Sequence, residues 1–199
     1  MHAATEITPE ELAEFAAASG LAEAAPGRVS TLLTFELAAL ERASVLPPAR
    51  VVNEIRALEG IGPTSRTKQE TAFEQPPLIG LWHKHYITSR CADLVRNVQR
   101  EFGRKRRTLK SLIRDEADRA GGEVFSEETL RRVARRVAGL YEVRSDAARL
   151  TGDWLIFAKH EGQNYYLGLS RHDEDGQAVI DRLGALCAPE FPYLKSLTS

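Results

Sequence analysis

The chain has 199 residues, 43% of them hydrophobic and 28% charged, a balance that supports a packed core and excludes a disordered polymer. Its 27 basic and 28 acidic residues leave a formal charge of -1. No run approaches the roughly 20 apolar residues of a membrane span, and the acidic start MHAATEITPEELAEF has no apolar signal core, so a cytoplasmic protein without membrane contact is expected.

Taken in chain order, residues 1–60 read as a helical leader. Thr8 is an N-cap with Pro9 at the first helical position, and the acids that follow suit a helix from about Pro9 to Glu23. Pro26-Gly27 breaks it. Val29, Leu33, Phe35 or Leu37, and Leu40 recur at roughly helical spacing in a second segment, and Pro47-Pro48 separates that from a third helix through Val51, Ile55 and Leu58. Residues 61–77 are rich in Gly, Pro, Ser, Thr and charge and read as a linker or long loop.

Residues 78–199 are expected to form an α+β domain that carries the site. LIGLWHKHYI, from Leu78 to Ile87, has the aromatic and β-branched content of a strand. Helices are expected through Leu94, Val98 and Phe102, through Leu109, Leu112 and Ile113, and from an N-cap at Ser126 through Leu130, Val133, Val137 and Leu140. Charge is uneven: residues 1–50 hold three basic against seven acidic residues, and residues 101–150 hold thirteen against nine. Arg104, Lys105, Arg106, Arg107, Lys110 and Arg114 follow one another with no acid between them, a cluster suited either to a phosphate backbone or to a solvated helix start.

WLIFAKH (Trp154 to His160), the break Glu161 to Asn164, and YYLGLSRH (Tyr165 to His172) read as an antiparallel hairpin, with Gly162 suited to the positive φ of its turn. Val179, Ile180, Leu183 and Leu186 mark a last helix that ends by Pro189. The whole is an N-terminal helical region followed by a small antiparallel sheet flanked by helices.

Four of the five histidines fall in these strands. His83 and His85, at i and i+2, share one face of their strand, while Trp82, Lys84 and Tyr86 take the other. Closing the hairpin with His160 opposite Tyr165 places Lys159 opposite Tyr166, which groups His160, Tyr165 and Arg171 on one face and Lys159, Tyr166, Ser170 and His172 on the other. Histidine takes and gives protons near neutrality. Cleaving RNA requires a base for the 2′-hydroxyl, an acid for the 5′-leaving oxygen and cations for the developing phosphate charge. His83 and His85 are the candidate acid/base pair, Lys159 and Arg171 the phosphate stabilisers, and His160, Tyr166 and His172 helpers, with no metal ion or cofactor. Trp82, Lys84, Tyr86, Arg104, Lys105, Arg106, Arg107 and Lys110 are the candidate RNA-binding residues, by stacking and by charge.

Two other readings compete. His83-x-His85 is also a metal-ligand spacing, which His160 or His172 completes for a metal-dependent hydrolase, with Asp173, Glu174 and Asp175 as further ligands. Alternatively the histidines are structural and the amphipathic helices of a non-enzymatic module dock a protein partner. Phosphate-binding loops, dinucleotide fingerprints, zincin motifs and nucleophile elbows are all missing from the sequence. Cys91 and Cys187 stand far apart, with no Cys-x-x-Cys spacing, and point to neither a disulfide framework nor a thiolate zinc site.

Residues 77–194 resemble small bacterial ribonuclease toxins, the broad group of RelE-like, colicin-type and EndoU-like nucleases, through LWHKHY, the hairpin WLIFAKHEGQNYYLGLSRH and the preference for His, Lys, Arg and Tyr over acids. The resemblance implies metal-independent RNA cleavage and a neutralising antitoxin or other protein partner. It assigns no catalytic residue and does not cover the leader.

Overall fold

The computed structural model describes residues 7–88, 99–100, 109–119, 132–139, 147 and 152–196. Helix α1 (Pro9–Ser19) opens with a capping box: the Glu11 N–H donates to Thr8 Oγ1 at 3.2 Å and the Thr8 N–H to Glu11 Oε2 at 2.9 Å. It ends sooner than the sequence suggests. Gly20, at φ 79°, takes the left-handed C-cap, and the chain restarts as α2 (Leu21–Ala24). Ser30 caps α3 (Thr31–Arg42): its Oγ accepts from the Leu33 N–H at 2.9 Å and donates to the Leu167 carbonyl at 2.6 Å, which ties the helix start to the sheet. Helix α4 (Ala49–Leu58) follows the Pro47-Pro48 break.

Four strands, β1 (Thr71–Ala72), β2 (Leu81–Tyr86), β3 (Asp153–His160) and β4 (Gln163–Ser170), form an antiparallel sheet in chain order. β1 lies within residues 61–77; two residues are too few to show the alternation by which a strand is recognised. Helix α5 (Leu109–Arg119) coincides with the expected Leu109–Leu112–Ile113 helix, and residues 132–139 are helical within the helix expected through Leu130, Val133, Val137 and Leu140. The expected helix through Leu94, Val98 and Phe102 and the Ser126 cap lie outside the described residues. Asp175 caps α6 (Gly176–Cys187), and a 3-10 turn, Pro192–Ser196, closes the chain. Among the described residues no helix is long and apolar enough to cross a membrane.

Each face of the sheet has its own core. On one face Leu21, Leu33, Leu37, Val51 and Ile55 of the leader pack with Tyr86, Leu155, Phe157, Tyr166 and Leu169. On the other, Val179, Ile180, Leu183 and Cys187 of α6 pack with Leu81, Ile156, Ala158 and Leu167. The result is an α+β fold of helices, sheet and helix, with the leader docked directly on the strands.

The hairpin turn corrects the expected pairing. It uses only Glu161 (φ 49°) and Gly162 (φ 77°), the positive dihedrals of a primed turn, so β4 begins at Gln163 and His160 faces Gln163 rather than Tyr165. Farther along, Phe157 pairs with Tyr166 but Ile156 pairs with Gly168. Leu167 is therefore an extra residue in β4, a β-bulge, and every side chain beyond it changes face.

Candidate functional site

Strand alternation sets the centre of the site. His83 and His85 lie on the α6 face, their ring centroids 5.5 Å apart and nearly perpendicular at 89°. Trp154, the β3 partner of His85, joins them with its ring 5.0 Å from His83. Phe73, just beyond β1, lies 4.7 Å from His83. His172 completes the group, 5.2 Å from His85 and 4.4 Å from Trp154. Pairing without a bulge puts His172 on the side of Tyr166. The bulge at Leu167 carries Ser170 and His172 to the histidine face instead.

Electrostatics hold the first two rings neutral. Burial pushes His85 down to about 3, against a hydrogen bond donated to the Gly152 carbonyl that favours its charged form, and His83, His172 and Lys68 lower it further. Burial also brings His83 down to about 4, helped by His172 and Lys68. His85 Nδ1 lies 2.9 Å from the Gly152 carbonyl oxygen. In the neutral ring Nδ1–H donates there, which leaves Nε2 as the basic nitrogen. Among the described residues, His83 Nδ1 and Trp154 Nε1 are buried without a hydrogen-bond partner. At pH 7 the His83 and His85 rings are neutral, and burial makes each a weaker base than a free imidazole.

The other face corrects several expectations. Lys84 is buried under the leader, donating to the Lys68 carbonyl at 2.5 Å and lying 3.7 Å from Glu54. Tyr86 is buried in the leader core. Neither offers a surface to RNA, because the helices of residues 1–60 cover the face where alternation puts them. Tyr166 is buried there as well, its hydroxyl donating to Glu59 Oε1 at 2.6 Å, and burial with the Glu59 carboxylate raises its pKa. Lys159 is on this side too, its Nζ 3.8 Å from the Trp82 ring centroid and 3.8 Å from Glu70. Tyr166 and Lys159 are thus separated by the sheet from the histidine cluster.

His160 is at the turn end of β3, stacked on Tyr193 with centroids 4.0 Å apart, away from His85 and His172. Arg171 precedes His172 and is exposed, paired with Asp173 at 2.8 Å. Arg104 to Arg107 lie outside the described residues. Lys110 is in α5, with its side chain outside the description.

Sequence reasoning missed Trp154, Gly152 and Phe73. Trp154 was visible as a strand residue, but its place beside His83 depends on pairing between segments about 70 residues apart. Among the described residues no group of three or more His, Cys, Asp or Glu side chains is arranged to hold a metal ion. What assembles here is a compact set of rings: three imidazoles, one indole and one phenyl. No protein-family model, curated protein or solved structure matches the chain.

Proposed function

We propose that the protein cleaves RNA without a metal ion at the histidine face, the observation that carries this being the convergence of His83, His85 and His172 beside Trp154. His85, oriented by Gly152, takes the proton of a ribose 2′-hydroxyl through Nε2, and the 2′-oxygen attacks the adjacent phosphorus. The bond to the 5′-oxygen breaks, and that oxygen takes a proton from His83 or His172. A phosphodiester anion against the rings favours their protonated forms and works against the burial that holds His83 and His85 neutral. A neutralising protein partner, of the kind the toxin resemblance implies, belongs to the same proposal.

The test is incubation of the purified protein with total RNA, with and without EDTA, beside His85→Asn, which keeps a donor for Gly152 and removes Nε2. Cleavage that survives EDTA and disappears in a folded His85→Asn supports the reading. EDTA-sensitive cleavage transfers the chemistry to a metal ion.

The burial that lowers the proton affinity of His83 and His85 favours a second reading, in which the rings are structural and the protein is a binding module. That reading expects no cleavage by wild type and lower stability in each histidine variant.

A further inference from the structure

Leu169, directly after the bulge in edge strand β4, is gripped by two side chains. Its N–H donates to Glu36 Oε2 of α3 at 2.7 Å, and its carbonyl accepts from Arg182 Nη2 of α6 at 2.8 Å. Arg182 also donates to Glu174 Oε1 at 2.6 Å, and its Nε lies 3.6 Å from Glu36 Oε1. Backbone groups on the outer side of an edge strand have no ladder partner, and here a carboxylate and a guanidinium satisfy both groups of one residue. Leu169 is also where the new register begins, since Leu169 pairs with Leu155 and Ser170 with Trp154 only because Leu167 is looped out. His172 follows three residues later.

We propose that Glu36 and Arg182 are positioning residues, a clamp on Leu169 that holds the bulged end of β4 in the register carrying His172 to His85 and Trp154. Their relevance to catalysis rests on the RNA-cleavage reading of that face; the clamp itself does not. Neither residue touches the rings.

The clamp is built to respond to pH. Burial raises the Glu36 carboxyl to about 7, partly offset by the Leu169 N–H and by Arg182, while Glu174 adds to the rise. The titratable groups facing it are Arg182 and the Cys187 thiol from α6 and Glu174 from the turn before α6. Above pH 7 the Leu169 N–H meets a carboxylate; below it, a weaker neutral acceptor.

The experiment is NMR on the full chain with labelled leucine, histidine and tryptophan from pH 5.5 to 8.5. The Leu169 amide is expected to titrate with a midpoint near 7 in wild type and to lose that inflection in Glu36→Gln. The nuclear Overhauser contact between the His172 and Trp154 rings is expected in wild type and to be lost in Glu36→Ala and in Arg182→Ala. A ring contact retained in both folded variants overturns the clamp. If the alanine variants do not fold, the wild-type titration decides: a Leu169 amide with no inflection overturns the clamp as well. Absence of RNA cleavage by wild type, together with loss of the ring contact in the variants, rejects the cleavage reading and upholds the clamp. If wild type does cleave, Glu36→Gln is expected to lose the inflection near pH 7 from its pH–rate profile.

Discussion

His85 and Gly152 are locked together across the junction of β2 and β3: the imidazole Nδ1 lies 2.9 Å from the glycine carbonyl oxygen. The contact needs a residue without a side chain. A Cβ at position 152 lies 1.8 Å from the Tyr86 carbonyl oxygen, so the backbones approach this closely only with glycine there. One glycine therefore sets the tautomer of the best-placed histidine.

Gly152→Ala is expected to push the start of β3 away from Tyr86 and release His85. The strain costs about 1–3 kcal/mol of stability, the range for overpacking a close contact. Once released, His85 titrates closer to its ordinary value of about 6.5. Histidine NMR titration of the variant checks this, and a ring still resisting protonation down to pH 4 rejects the link.

Opposing pH dependences of stability follow from the buried groups. His83 and His85, lowered to about 4 and about 3, contribute stability that is complete above about 6.5. As pH falls from there, the unfolded chain takes up protons that the fold refuses, so stability declines until about pH 4 for His83 and about pH 3 for His85. The His83 share is on the order of 3 kcal/mol. His83→Phe, which keeps a ring against Phe73, is expected to flatten the decline between pH 6.5 and 4 in chemical denaturation.

Glu36 acts in the other direction. With its carboxyl raised to about 7, the fold holds a proton that the unfolded chain releases between about 4.5 and 7, so stability falls as pH rises through that window. Glu36→Gln removes this slope. Denaturation curves of the two proteins at pH 5 and pH 8 measure it; equal differences at both values reject the assignment.

Lys84 and Glu54 form a buried pair in which the carboxylate also accepts from Ser65 at 2.6 Å and Thr67 at 3.1 Å. Replacing Lys84 with Met leaves the carboxylate buried without its cation. The expected loss is about 3–5 kcal/mol at pH 7. Because burial raises the Glu54 pKa even with Lys84 present, the deficit shrinks when acid neutralises the carboxyl. A deficit that is constant from pH 7 to pH 4 contradicts this account.

Glu161 holds φ at 49° in the hairpin turn, a conformation that asparagine adopts more readily than glutamate. Glu161→Asn is expected to raise stability by about 0.5–1 kcal/mol, measured by thermal unfolding. His160 loses its 3.8 Å neighbour Glu161 in the exchange, an exposed pair of small energetic weight.

Features governed by short-range rules were legible in the chain. The Thr8 cap, the proline breaks, the Gly162 turn and the pairing of His83 with His85 on one face all depend on residues within a few positions of one another, where dihedral preference and strand alternation decide. Tertiary structure alone decided which histidines meet and which cations are covered. One looped residue, Leu167, moved His172 to the other face, because a period-two side-chain pattern inverts whenever pairing slips by one. Docking of the leader turned Lys84, Tyr86 and Tyr166 from surface candidates into core, since alternation tells which side of a strand a residue takes but not what will cover that side.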